Sequence, residues 1–462
     1  MSSQRYNPSM ARCWLLLAVI VVGSGVACRP ERPPRERPNI ILVMADDLGY
    51  ETLRVNGGTS YRTPHLDALA RSGMRFTQAY ATPLCTPTRV QLMTGQYNFR
   101  NYIGFGLLDP EERTVAHLLQ AAGYRTAVVG KWQLFGNERQ RALAGGRVGT
   151  LPRQAGFDEY ALWQVEARGS RYKDPYLEIV DGSPGVHPGR YGPDVFAEYI
   201  ERFLERHQHA PFFLYYPMVL PHEPFQPTPD DPDYATFDPG DGLNDPRYFA
   251  SHVAYLDDVI GRIVRQLERL ELREHTLLIF TADNGTDRDV TSRLGDRVVQ
   301  GRKGYTTEAG THVPLIASWP SAIEPDQVND NLIDFTDFLP TLLDAAQVER
   351  WSEDLIADGL SFFPQLLGTA GTVRSWVFCH YAPNWGNFPD RRLAHNREWK
   401  LYADGSFYHI AEDPEEQHHV PDEELTGEVR RIRQGLQGVL DRMSQDSLRI
   451  RAVGMTGVKT RG

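Results

Sequence analysis

The sequence predicts an α/β fold: a large, mostly parallel or mixed sheet sandwiched by helices, with a smaller C-terminal α+β domain of short antiparallel strands and a long helix. Three observations carry this reading. Short, nearly continuous apolar runs alternate with segments of helical spacing. Several of those runs end directly in polar residues, and beyond about residue 345 they give way to shorter strands and one long amphipathic segment.

The first run, Asn39 to Ala45 (NIILVMA), reads as a buried strand that stops at Asp46 and Asp47. A helix is expected from Thr63, which caps; Pro64 suits the first turn, and Leu66, Leu69 and Ala70 keep helical spacing before Gly73. The order repeats with a helix from Thr114 to Ala122, stopped by Gly123, and a strand from Thr126 to Val129. Val195, Tyr199, Phe203 and Leu204 mark one helix face ahead of the strand Phe212 to Tyr216. The helix around Val259 to Leu267 precedes the strand Leu277 to Thr281, and Val313 to Ser318 is a further strand. Residues 135 to 190 and 223 to 250, rich in Gly, Pro, Arg and Asp without a clear period, read as long loops.

Val373 to Cys379, Lys400 to Tyr402 and Ser406 to Ile410 read as short strands, and Leu425, Val429, Ile432, Leu436, Val439, Leu440 and Met443 as one helix face. The expected division is a main domain over 38–345, a connecting segment over 346–372 and a C-terminal α+β subdomain over 373–462. In parallel sheets sites gather beyond the carboxyl ends of the strands, so the polar residues there are the first candidates.

The chain has 462 residues, 41% of them hydrophobic, enough for a sizeable core. A net charge of −11 and the lack of a long basic run argue against a nucleic-acid partner. Residues 1–28 read as a signal peptide: Arg5 and Arg12, the apolar run Trp14 to Val22, then small residues. The ending Val26, Ala27, Cys28 resembles a bacterial lipoprotein signal, although Gly25 stands where that pattern has a leucine. The expectation is an exported protein of a bacterium, either periplasmic or held at the membrane by a lipid on Cys28. Residues 29–37, RPERPPRER, form a charged tether. Of the four cysteines, Cys13 and Cys28 belong to the signal, and Cys379 reads as a buried apolar filler. No disulfide framework remains, and Cys85 needs another explanation.

Asp46 and Asp47 at one strand end, and Asp283 and Asn284 at another, offer hard oxygens that suit calcium or magnesium better than zinc. Either pair alone is more often a turn or a cap. In LCTPTRVQLMTG, Cys85 precedes Pro87 at an expected helix start, where backbone N–H groups favour negative charge. Arg89, one turn on, would face back toward an anion held there. A reactive cysteine accounts for the placement, and no thiol-protease signature accompanies it.

CTPTR followed by VQLMTG resembles the signature of the type I sulfatases, in the alkaline phosphatase superfamily. Further motifs come in the same order as in that family: MADDLG at 44–49, GKWQL at 130–134, PHEP at 221–224, TADNG at 281–285 and GRKGYTTEAGTHVPL at 301–315. DGLSFFPQLLG at 358–368 and FYHIAEDPEEQ at 407–417 resemble late segments, so the likeness runs from Pro38 to the last helix.

The resemblance implies an alkaline phosphatase-like sheet with 38–345 as the catalytic domain. It implies a formylglycine made from Cys85 by a formylglycine-generating enzyme, and one calcium ion held by Asp46, Asp47, Asp283 and Asn284 together with the residue at 85. It implies that Arg89 holds the hydrated aldehyde, that Lys131 and Lys303 bind sulfate oxygens, and that His222 serves the leaving oxygen as acid. The hydrated aldehyde would attack sulfur, and re-forming the aldehyde would expel the sulfate. Gln133 departs from the pattern, since the family has a histidine there and an amide accepts no proton near neutral pH.

The implied activity is hydrolysis of sulfate monoesters, arylsulfatase-like, on a sulfated small molecule or carbohydrate. Two rivals share the same residues: a phosphate or phosphonate monoester hydrolase, and a non-catalytic anchored binding protein that retains the fold. Substrate choice is expected from the stretches 97–109, 135–190 and 223–250, with Arg168, Arg171, Tyr172, Lys173 and Trp385 able to meet a sugar or aryl group or to serve only packing.

Overall fold

The computed structural model of the chain describes residues 37–349, 351 and 355–457. The expected signal segment 1–28 with Cys28, and the expected tether as far as residue 36, lie outside the described residues.

Strand β1 (Asn39–Ala45) is buried at all seven positions. Successive side chains of a strand point to opposite faces, so the sheet is covered on both sides there. Helix α1 (Pro64–Arg71) starts where expected, and the Asp257 carboxylate accepts from the backbone N–H groups of His65 and Leu66 at 2.9 and 2.8 Å. Strand β2 (Met74–Tyr80) follows, then α2 (Cys85–Thr94), closed by Gly95 in the left-handed region with its N–H 2.7 Å from the Gln91 carbonyl. Helix α3 (Val115–Ala121) opens on a reciprocal cap between Thr114 and His117 and leads into β3 (Arg125–Lys131).

Then come β4 (Glu159–Trp163), β5 (Tyr176–Ile179), α4 (Gly192–His207), β6 (Phe212–Pro217), α5 (Phe249–Arg269), β7 (Thr276–Ala282), β8 (His312–Ser318) and α6 (Phe338–Ala345). Helices α1, α4 and α5 pack as one group, and α2, α3 and α6 as another.

The large sheet is mixed but mostly parallel. Its central order is β2, β8, β7, β1, β6, β3, β4, β5, with β8 antiparallel to both neighbours and β5 antiparallel to β4. The register sets Ala45 opposite Ala282, Met44 opposite Pro217 and Lys131 opposite Trp163. The residues that follow β7, β1, β6, β3 and β4 therefore meet along one edge of the sheet.

The expectation of a long loop over 135–190 is corrected here. That stretch holds the helix Glu138–Leu143 and the strands β4 and β5. Their short apolar content, flanked by Gly and Pro, hides them from a periodicity search; pairing with β3 supplies the order. Strand β2 was concealed in the same way, because its polar Thr77 and Gln78 are only half buried.

A second, antiparallel sheet contains β9 (Val377–Tyr381), β10 (Arg391–His395), β11 (Trp399–Tyr402) and β12 (Phe407–His409), in that order. The strand expected at Val373 to Cys379 starts four residues later, and β10 was not foreseen because RRLAH offers a single large apolar residue. Helix α7 (Gly427–Gly457) lays Leu436, Val439 and Leu440 on Phe378, Leu401 and Phe407, and Tyr97 enters the same core. Cys379 is buried as expected, and burial pushes its thiol up to about 12. Among the described residues no helix is long and apolar enough to cross a membrane.

Candidate active site

Adjacent parallel strands bring four oxygen donors together. Ala45 pairs with Ala282, so the next residues of β1 and β7 meet: the Asp283 N–H donates to the Ala45 carbonyl and the Asp47 N–H to Asp283 Oδ1 at 3.1 Å each. Asp47 takes a left-handed backbone with φ of 68°, a conformation that aspartate tolerates better than most residues. Asn284 Nδ2 donates to Asp47 Oδ1 at 2.8 Å. Asp46, Asp47, Asp283 and Asn284 are all fully buried.

Three cations hydrogen-bond to them. Lys131, the last residue of β3, sets Nζ 2.8 Å from both oxygens of Asp46. Arg89 donates Nε and Nη2 to Asp283 Oδ2 at 3.2 and 2.7 Å, and Lys303 pairs with Asp47. Arg89 thus turns to a carboxylate at the same site as Cys85. His222 Nδ1 lies 2.7 Å from the Glu223 carbonyl, which only accepts, so Nδ1 bears the proton and Nε2 accepts from Lys303 Nζ at 2.9 Å. Burial and the adjacent Lys303 charge hold His222 well below the usual histidine range.

Cys85 is the first residue of α2, and its Sγ donates to Gln133 Oε1 at 3.1 Å. Burial raises the thiol above its ordinary range. Burial acts the same way on Asp47, where Asp46 and Asp283 add to it and push the group up to about 7 against Lys303. Asp283 is pushed up to about 6 by burial and by Asp46, against Arg89. Burial alone would raise Asp46 too, but Lys131, His222, Arg89 and Arg171 hold it well below the carboxylate range.

Three carboxylates in one buried site suit a divalent cation. Asn284 Oδ1 is buried without a hydrogen-bond partner, and the ligand atoms of Asp46, Asp283 and Cys85 lie within 4.8 Å of one another. Hard oxygens dominate this donor set, which fits calcium.

The site opens into a cavity of about 330 Å³. Cys85, Lys131, Gln133, His222 and Lys303 line it, with Gln164, Phe105, Trp385 and Phe388 among the walls. The Trp385 ring stacks on Phe105 with centroids 4.7 Å apart. Of the residues considered for substrate contact, Arg168, Arg171 and Trp385 reach the cavity. Tyr172 and Lys173 instead fasten the backbone, Tyr172 to the Val219 carbonyl at 2.9 Å and Lys173 to that of Tyr234 at 3.0 Å. Phe105 and Gln164 fall in the stretches 97–109 and 135–190 expected to set substrate choice, whereas Phe388 gave no signal in the sequence, because folding alone brings it beside Cys85.

Comparison with known proteins identifies similar chains and folds. The profile of the Sulfatase family matches residues 38–348, and that of the N-sulphoglucosamine sulphohydrolase C-terminal region matches 302–445. The chain is 34% identical to arylsulfatase A of Homo sapiens over 399 residues, 79% of this chain and 73% of that protein. A solved structure in complex with its substrate, D-glucosamine-2-N,6-O-disulfate, superimposes with a TM-score of 0.71 at 22% identity, covering 89% of this chain and 98% of the other. The phosphonate monoester hydrolase of Agrobacterium radiobacter shares the fold with a TM-score of 0.64 at 21% identity, covering 90% and 96%.

Proposed function

The chain belongs to the sulfatase family and is a sulfuric ester hydrolase; within that activity we propose that Cys85 is the precursor of the nucleophile and that the residues around it form the sulfate site. The supporting observation is the meeting of Cys85 with Asp46 and Asp283 in one buried cluster at the head of α2. A formylglycine-generating enzyme would act on Cys85, and the hydrated aldehyde would supply a hydroxyl nucleophile with a second hydroxyl on the same carbon. Calcium held by Asp46, Asp47, Asp283 and Asn284, together with the residue at 85, would supply positive charge for a sulfate oxygen.

The chain's own groups do the rest. Lys131 and Lys303 carry positive charge on the cavity wall, where it counters the charge that develops on sulfate. Arg89, braced by Asp283, would hold the hydrated aldehyde at position 85. His222, held by the Glu223 carbonyl, accepts from Lys303 Nζ at Nε2, so the proton the leaving oxygen needs passes from the Lys303 ammonium to Nε2 and from there to that oxygen. Gln133 holds the group at 85 by a hydrogen bond but moves no proton.

The proposed substrate is a sulfated small molecule or carbohydrate. The relative bound to a sulfated glucosamine and the aromatic wall of Phe105 and Trp385 both favour a sugar ring. We also propose export from a bacterial cell, with Cys28 as lipid attachment site, and the division at 346–372 into a catalytic domain over 38–345 and a C-terminal subdomain over 373–462.

The decisive experiment is mass spectrometry of the Cys85 peptide after production with the maturation enzyme, beside kcat/KM for matched aryl sulfate and aryl phosphate esters. Conversion of CH2SH to CHO and a preference for sulfate are expected. An unmodified thiol in an active enzyme overturns the proposal, and a preference for phosphate transfers the site to the reading as a phosphonate monoester hydrolase, an enzyme whose fold this chain shares.

A further inference from the structure

Arg171 lies outside every motif that identifies the family, yet it stands in the wall of the site. Its guanidinium carbon sits 3.9 Å above the Trp163 ring, at the end of β4, and only 4% of the side chain is exposed. Its Nη1 is shielded from solvent and has no hydrogen-bond acceptor. The nearest carboxylate oxygen is Asp46 Oδ2 at 3.7 Å, beyond hydrogen-bond reach, and both oxygens of Asp46 already accept from Lys131.

A buried, charged donor without an acceptor is more costly than a neutral one. The backbone around Arg171 leaves it little room to escape. Tyr172 donates to the Val219 carbonyl and also to that of His222, and Lys173 is held by the Tyr234 and Phe237 carbonyls. The segment is tied to the same loop that carries His222, so the guanidinium is set before any ligand arrives.

We propose that Arg171 is a sulfate-binding residue, donating Nη1 to a non-bridging oxygen of the reacting sulfate group beside Lys131. A planar guanidinium held over an indole presents fixed N–H groups, and oxyanions take such a fork well. The inference rests on the assignment of this cavity to sulfate ester hydrolysis.

The test uses matured, calcium-loaded enzyme and inorganic sulfate as the probe, read by titration calorimetry and by competitive inhibition of aryl sulfate turnover. Arg171→Met keeps an apolar stem over Trp163, and the milder Arg171→Lys keeps the charge without the fork. The expected result is a sulfate Kd at least tenfold weaker in Arg171→Met and a smaller loss in Arg171→Lys, with calcium affinity within about twofold of the parent. Should Arg171 only brace Asp46, calcium affinity would fall and sulfate affinity at saturating calcium would hold, which overturns the proposal. Unchanged sulfate binding in both variants overturns it as well. If the parent enzyme itself binds no sulfate and turns over no sulfate ester, the reading of the site falls and this inference with it.

Discussion

Cys85 Sγ and Gln133 Oε1 are joined by a 3.1 Å hydrogen bond that links the first turn of α2 to the residues just past β3. Gln133 holds a left-handed backbone, with φ of 51°, and its N–H donates to the Gln164 carbonyl at 3.2 Å. The side chain is thereby aimed at position 85 by its backbone.

An imidazole in that place would change charge between pH 5 and 8, which an amide does not. Gln133→His should therefore add a limb to the kcat profile in that range. Superimposable profiles for variant and parent would show that position 133 handles no proton.

Cys85→Ala removes the precursor of the nucleophile but only a small buried side chain. Turnover should vanish, while thermal unfolding shifts by no more than about 1 kcal/mol and calcium still raises Tm. Activity in the alanine variant equal to that of the parent would refute the nucleophile assignment.

Calcium should stabilise the protein by mass action, by about 2.7 kcal/mol at one hundred times its Kd. Asp283→Asn keeps the shape but removes one of three buried charges, so most of that shift should disappear. EGTA should abolish turnover and added calcium restore it. Equal calcium shifts in variant and parent would exclude Asp283 from the ion's ligands.

Glu308 is the acceptor for Tyr80 and the partner of His312 Nδ1 at 3.0 Å. Burial alone would raise its carboxyl, but His312 and Lys400 hold it at about 2. The folded-state value lies below the ordinary one, so this contribution is complete above about pH 4.5 and is lost as pH falls toward 2. Glu308→Gln should cost about 2–3 kcal/mol near neutrality and flatten the acid side of the stability curve. An acid limb of unchanged steepness in urea unfolding would contradict it.

Arg374, just past the connecting segment, places Nε 3.0 Å from Asp337 Oδ2 and Nη1 3.0 Å from the Tyr97 hydroxyl, all buried. Arg374→Leu leaves Asp337 buried without its countercharge, so a loss of about 3–5 kcal/mol is expected in urea unfolding. A change below 1 kcal/mol would show that the pair contributes little to holding β9 against α2 and α6.

Much of the main sheet was legible because buried parallel strands are nearly continuous apolar runs, as in β1, β6 and β7. Strands β2, β4, β5 and β10 were not, since pairing with neighbours stabilises them more than their own composition does. The oxygen donors were visible as polar pairs at strand ends, and Cys85 as the cysteine that neither the expected signal segment nor apolar packing accounted for.

The motifs and their order carried the resemblance to the family, and with it the expected site residues and the departure at Gln133. Only the tertiary structure decided how they pair: Lys131 with Asp46, Arg89 with Asp283, Lys303 with Asp47 and His222. It alone set Arg171 over Trp163 with Nη1 unpartnered and brought Gln164 to the cavity wall. The reason is physical. A strand end carries its own polar residues in sequence, whereas the residue it meets depends on strand order and register, which arise from contacts distant in the chain.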